Sequence, residues 1–211
     1  MTSLTPTAAP GAAPEAATPP HPSAVATLVV HPPPGEWTVA MWASLATRET
    51  PCELVEGSLE LLPLPNVRHH LITAVVAALL RSRLQRSPVF ENGLKVRLSE
   101  RTGRIPDVVV LDRPLSDDEL EAEFVSAERV VLAVEVVSPG RRQRDRDFRD
   151  KREDYAAAGI AEYWIVDPES RTVLPLVLAD GTYPAVEPVP VGGSFTTPLL
   201  AEPIDVAAIF A

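Results

Sequence analysis

Only one of the 211 residues is a cysteine, Cys52, so no intramolecular disulfide can form, which fits a reducing cytoplasm as the place of work. No Cys-x-x-Cys pair and no His-Glu-x-x-His pattern occurs, which leaves zinc without its usual ligand spacings. Long apolar runs are missing too. The longest helix-like one, Leu71 to Leu80, falls well short of the roughly 20 residues that span a bilayer, so no membrane partner is expected. Lysine is nearly absent: Lys95 and Lys151 stand against 17 arginines. A GC-rich coding sequence accounts for that bias and makes each retained lysine more informative. The net charge is −10, which argues against a protein that coats nucleic acid through bulk positive charge; any such contact needs a local basic patch.

What is abundant divides the chain in two. Residues 1–34 are rich in proline and alanine and almost free of charge. They cannot bury enough apolar surface to offset the entropy of ordering, so they read as a disordered tail. With neither a basic start nor a continuous apolar core, they do not read as a signal peptide. Residues 35–211 are one domain. Thr38 caps a helix over Val39 to Thr47. "CELVEGSLELLP" is a hairpin around Glu56-Gly57. Asn66 caps a helix reaching about Gln85, with a stripe of Leu71, Val75, Ala78 and Leu79. "VFENGLKVRLSE" reads as a half-exposed strand, "RIPDVVVLD" as a short buried one, and Ser116 as the cap of a short helix. Val130 to Val137 is the most apolar strand and the candidate for the sheet centre. Arg141 to Ala158 is helical and closed by Gly159. "EYWIVDP" is a further buried strand, the segment after it an outer hairpin with an Asp-Gly turn, and "DVAAIF" a last helical turn. Five to seven strands are expected, with at least two long helices.

Three acids stand where burial alone would not put them: Glu53 in the first hairpin strand, Asp107 at the start of Val108 to Leu111, and Glu135 inside Val130 to Val137. A carboxylate in a low-dielectric strand is costly unless it is paired, hydrogen-bonded or bound to a cation. Any one alone reads as the ion-pair partner of an arginine. Two on neighbouring strands, about 4.8 Å apart, can share one Mg²⁺, which prefers hard oxygen ligands. Lys151 follows Glu135 by sixteen positions, on a helix that folds back over the sheet. There it can orient a water or stabilise charge on a phosphate. It also fits a solvated helix face, since residues 141–154 hold seven basic and five acidic side chains.

The stretches "CELVEGSLELLP", "NVRHH", "RIPDVVVLD", "AVEVVSPGRRQRDRDFRDKREDYAAAGIAEYWIVDPESRTV" and "DVAAIF" together resemble the Uma2 family. This is a group assigned as endonucleases of the PD-(D/E)xK superfamily and also known as a domain of unknown function. The likeness runs over roughly residues 36 to 211. It implies an α/β fold, a restriction-endonuclease-like core whose mixed central sheet is flanked by helices, and metal-dependent phosphodiester hydrolysis. By resemblance Pro106-Asp107 is the motif's "PD" and Glu135 its second acid. The lysine usual two residues later is replaced by Val137, and Lys151 matches that lysine moved onto the next helix. Glu53 matches the family's early acid, a further ligand to metal or to metal-bound water. His69 matches a frequent histidine; at a helix N-terminus it is expected to favour its neutral form.

The reading that follows is an Mg²⁺-dependent endonuclease acting on DNA, with Mn²⁺ able to substitute. Asp107, Glu135 and the carbonyl of Val136 hold the metal, with Glu53 beside them. Lys151 serves the transition state. Arg141, Arg142, Arg144 and Arg146 meet flanking phosphates, and Tyr155, one turn beyond Lys151, lines the same cleft. Cutting both strands is compatible with a homodimer. Two other readings compete: a non-catalytic assembly module that keeps the fold, and a metal-dependent hydrolase of small phosphoesters, which suits the acidic surface.

Overall fold

Thr38 Oγ1 accepts the Met41 N–H and opens α1 (Val39–Leu45), which ends two residues earlier than expected, with Ala46 as its C-cap. The computed structural model describes residues 32–46 and 50–211. The tail expected over residues 1–34 therefore lies outside the described residues as far as His31. Pro32 to Pro34 are tied to the domain, because Trp37 Nε1 donates to the Pro32 carbonyl (2.9 Å). No helix among the described residues is long and apolar enough to cross a membrane.

β1 (Cys52–Val55) and β2 (Ser58–Leu61) form the expected hairpin. Its two-residue turn takes Glu56 to φ 47° and Gly57 to φ 78°, the left-handed pair that matches the twist of the strands. α2 (Val67–Arg83) starts at Asn66, whose side chain accepts the His69 N–H (2.9 Å). The stripe expected on α2 is wrong by one position. Ile72, Val76, Ala77 and Leu80 face inward, whereas Leu71 is 62% exposed. The helix is apolar on nearly every side, so periodicity does not choose its inner face; His69 and Thr73, both turned inward, do.

"VFENGLKVRLSE" does not make one strand. Asn92 (φ 54°) and Gly93 (φ 118°) break it into β3 (Val89–Glu91) and β4 (Val96–Arg97), which belong to different sheets. β5 (Gly103–Arg104), β6 (Val108–Leu111), α3 (Asp117–Leu120), β7 (Val125–Ser126) and β8 (Val130–Val136) follow. Helix α4 (Arg141–Asp145) passes through a π-helical turn (Arg146–Asp150) into α5 (Lys151–Ala157), and Gly159 at φ 78° ends the run. β9 (Glu162–Asp167), β10 (Thr172–Val177), β11 (Val189–Pro190), β12 (Ser194–Thr197) and β13 (Leu200–Asp205) complete the strands, before a 3₁₀ turn at Val206–Ile209. The strand count among the described residues, thirteen in three sheets, exceeds the expected five to seven. Several are two-residue segments too short to leave a period in the sequence.

The six-stranded sheet runs β11-β10-β9-β8-β6-β3, with β8 and β9 parallel and the other pairs antiparallel. This is the expected mixed central sheet, with β8 in its middle. One face packs on α2 through Ile72, Val76 and Leu80 against Val108, Leu132, Val134 and Trp164. Each such fully buried side chain contributes about 1.5–3 kcal/mol. The other face packs through Val109, Ala133, Ile165 and Tyr163 on Tyr155 of α5. The five-stranded sheet, β2-β1-β5-β4-β7, covers α1. α5 touches both sheets, through Tyr155 to Glu135 and through Asp154 to Arg104.

Candidate active site

The β6–β8 register pairs Val108 with Val134, and one step further brings Asp107 opposite Glu135. Side chains alternate across a strand, so both acids share the face of Val109 and Ala133, toward α5. The Val136 N–H donates to Asp107 Oδ2 (2.7 Å). The carboxylate of Asp107, just ahead of β6, thus accepts the N–H of the last residue of β8. The Val136 carbonyl projects from the same edge as its N–H.

Lys151 is the centre of charge. Its ammonium lies 2.8 Å from Glu135 Oε2, 3.3 Å from Glu53 Oε1 and 3.7 Å from Asp147 Oδ1. Burial would lower the pKa of Lys151, but Glu135, Glu53 and Asp147 outweigh it and raise that pKa. Tyr155 OH donates to Glu135 Oε1 (2.7 Å), so both oxygens of Glu135 have a partner. Burial pushes the Glu135 pKa up to about 8: Lys151 opposes the rise, while Asp107, Asp147 and Glu53 add to it. The carboxylates crowd one another, so that each neighbouring acid opposes the ionisation of Glu135.

Glu53 is differently placed from what the resemblance implies. Arg104 Nη1 (2.9 Å), the Ile105 N–H (3.1 Å) and Lys151 occupy its two oxygens. Burial would raise its pKa, but Lys151, Arg104 and Arg146 outweigh that and hold it at about 2. It is a fixed anion behind the lysine and is not part of the cavity wall. Arg104, equally buried, also grips Asp154 Oδ2 through Nε (2.9 Å) and Nη2 (2.5 Å). Sequence reasoning missed Arg104 and Asp154, although Arg104 stands only three residues before Asp107.

A cavity of about 450 Å³ opens over these groups. His69, Asp107, Glu135, Val136, Arg146, Asp147 and Lys151 line it, with Lys95 and the Leu62, Pro63 and Pro65 rim around them. His69 Nε2 is 3.1 Å from Asp107 Oδ2. Burial alone would lower the His69 pKa, but the hydrogen bond and charge of Asp107 raise it, so the expected preference for the neutral form is overturned. Lys95, the other lysine, donates to the Ala43 carbonyl. Tyr155 stands behind Glu135, fully buried, and does not line the cavity as expected.

The arginines divide. Arg146 reaches the cavity, and Arg141 and Arg142 are exposed at the start of α4. Arg144 is committed elsewhere, to Asp167 Oδ2 (2.8 Å) and over the Phe148 ring (5.0 Å). Asp147 is the third residue that sequence reasoning missed. It is buried, its pKa is raised by burial, and its Oδ1 has no hydrogen-bond partner. Such an orphaned acceptor costs about 1–3 kcal/mol. A signal existed in the sequence: Asp147, Lys151 and Tyr155 recur every four positions, on one helix face.

Among the described residues no three histidine, cysteine, aspartate or glutamate side chains converge as a metal cage. Mg²⁺ does not require one, since it keeps several waters and commonly takes one or two carboxylates. Both recorded contacts of Asp107 use Oδ2, which leaves Oδ1 for a further ligand. Together with the crowding of Asp107, Asp147 and Glu53 around Glu135, whose mutual repulsion a cation would relieve, this fits a hydrated divalent cation.

The model of the Uma2 family, described as "Putative restriction endonuclease", matches residues 40–206. No curated protein matches the chain. Among solved structures, the chain is similar to one described as a putative nuclease belonging to DUF820 from Anabaena variabilis, with a TM-score of 0.65 and 18% identity. That likeness covers 82% of this chain and 97% of the other, and at this identity it establishes the fold.

Proposed function

The chain belongs to the Uma2 family, and on that premise we propose that it is an endonuclease that hydrolyses phosphodiester bonds of DNA with Mg²⁺ as cofactor. One observation carries the reading: Asp107 faces Glu135 across adjacent strands at the wall of a cavity that also receives Lys151, 2.8 Å from Glu135. Asp107, Glu135 and the carbonyl of Val136 would hold the ion. Bound there, it would supply a Lewis acid for the phosphate oxygens.

The chain's own residues do the rest. His69 and the Val136 N–H fix Asp107, and Tyr155 fixes Glu135. Glu53 and Arg104 hold the lysine in place from behind. The Lys151 ammonium then stabilises charge that grows on the phosphate in the transition state, at no cost of reorganisation. Arg146 meets the phosphate in the cavity, while Arg141 and Arg142 meet its neighbours along the strand.

The test is cleavage of plasmid, linear duplex and single-stranded DNA in Mg²⁺ or Mn²⁺, beside Asp107→Ala and Glu135→Gln. Wild type should cut and both variants should fail. Equal cleavage by wild type and Asp107→Ala would sink the reading. Turnover of a small aryl phosphodiester without any DNA cleavage would favour the small-phosphoester reading instead.

A further inference from the structure

The π-helical turn leaves two adjacent side chains with complementary unmet needs. Arg146 Nε, a donor, and Asp147 Oδ1, an acceptor, are both buried and without a hydrogen-bond partner. They lie 3.6 Å from each other, too far to satisfy one another, and Lys151 Nζ is 3.7 Å from the same Oδ1. Both residues line the cavity that holds Asp107 and Glu135. The backbone is pinned at this point, because Tyr163 OH donates to the Asp147 carbonyl (2.9 Å). Neither side chain can relax its orphan atom by a simple shift of the turn. Buried polar atoms left in this state mark a place where a small polar molecule belongs.

The ligand must donate one hydrogen bond and accept another at nearly the same point. Between these two atoms a phosphate oxygen, which only accepts, would be repelled by Asp147 Oδ1, and a metal ion would stand against the Arg146 N–H. Water does both. We propose that Asp147 Oδ1 and Arg146 Nε hold the water molecule consumed in hydrolysis. One of its O–H bonds points at Asp147, one lone pair accepts the Arg146 N–H, and the second lone pair is left to attack phosphorus. As that O–P bond forms, the bond from phosphorus to the leaving ester oxygen breaks, that oxygen keeps the electron pair and takes a proton from solvent, and one water proton passes to Asp147. This assignment rests on the phosphodiesterase reading, and it adds Asp147 to the catalytic residues.

Two measurements on the full chain test it. The first is a high-resolution crystal structure of the wild type and of Asp147→Ala. An ordered water within about 3.2 Å of both Oδ1 and Nε should be present in the wild type and absent from the variant. No water at that point in the wild type overturns the inference, whether or not the protein cuts DNA. The second is cleavage of an oligonucleotide in Mg²⁺. Asp147→Ala should lose at least about 100-fold in kcat with KM near the wild-type value, and added formate should restore part of the loss. A wild-type kcat in Asp147→Ala overturns the inference while leaving the nuclease reading intact. A KM effect alone does the same.

Discussion

Lys151 Nζ and Glu135 Oε2 meet at 2.8 Å with their side chains 2% and 4% exposed, and each supplies the other's largest favourable electrostatic partner. A pair so deeply buried is weak evidence of stability for its own sake, because desolvation offsets most of the attraction. Removing one member is another matter, since the survivor keeps its charge without its partner.

Lys151→Met should therefore lower the unfolding free energy by about 3–5 kcal/mol, because it leaves Glu53, Glu135 and Asp147 facing one another. Lys151→Arg keeps the charge and should cost much less in stability. It should still lose most of the cleavage rate, because a planar guanidinium does not replace a compact ammonium among three carboxylates. Denaturant melts and single-turnover cleavage on the same preparations separate the two effects.

Stability should pass through a maximum as pH is varied. The folded pKa of Glu53 is held at about 2, below its ordinary 4.5. Its contribution is present above that ordinary value and lost as pH falls toward 2; the shift corresponds to roughly 3 kcal/mol. Glu135 acts in the opposite sense. Its folded pKa of about 8 lies above the unfolded 4.5, so the folded state holds the extra proton and stability declines as pH rises between those values. Unfolding free energies measured from pH 2 to 9 should show both limbs. Glu53→Gln should flatten the acid limb and Glu135→Gln the other; a limb that survives its own substitution refutes that assignment.

The arginines of α4 should separate by salt dependence. Arg141→Ala with Arg142→Ala removes two exposed cations and should reduce the dependence of DNA affinity on salt by roughly two counterions. Arg144→Ala should leave that slope unchanged and lower stability, because Asp167 keeps the Ser170 hydroxyl and the Glu169 N–H but loses its charged partner.

Gly103→Ala tests the second sheet. A Cβ there would lie 2.3 Å from Trp42 Cζ3, and Trp42 is fully buried with its Nε1 donating to the Cys52 carbonyl (2.7 Å). The ring cannot move aside, so the substitution should cost about 1–3 kcal/mol or more by overpacking. A thermal melt unchanged from the wild type would mean that the ring yields.

The sequence made Asp107 and Glu135 conspicuous because an acid inside an apolar strand has no bland surface explanation. Lys151 stood out through composition, in a chain that otherwise uses arginine. Asp147, Arg104 and Asp154 were hidden for the converse reason: they sit among many charges, and a residue string does not tell a buried charge from a solvated one. The inner face of α2 was misjudged because apolar residues nearly surround that helix. Asn92-Gly93 was legible as a turn signal, but not that the strands on either side of it join different sheets, since sheet membership is decided by distant partners. Nor does a π turn leave a mark in composition.

That turn also governs how the helix is phased. Each residue of an α-helix advances about 100° around the axis. Arg144 and Lys151 stand seven positions apart and reach the same face of the six-stranded sheet, at Asp167 and Glu135. The π turn between them puts one more residue into a turn than an α-helix does, and so sets the rotation of Lys151 relative to Arg144. Chain length between Arg144 and Lys151 is thus as much a determinant of this site as the identity of any residue in it, and an insertion there would misdirect the lysine without altering a single side chain of the cavity.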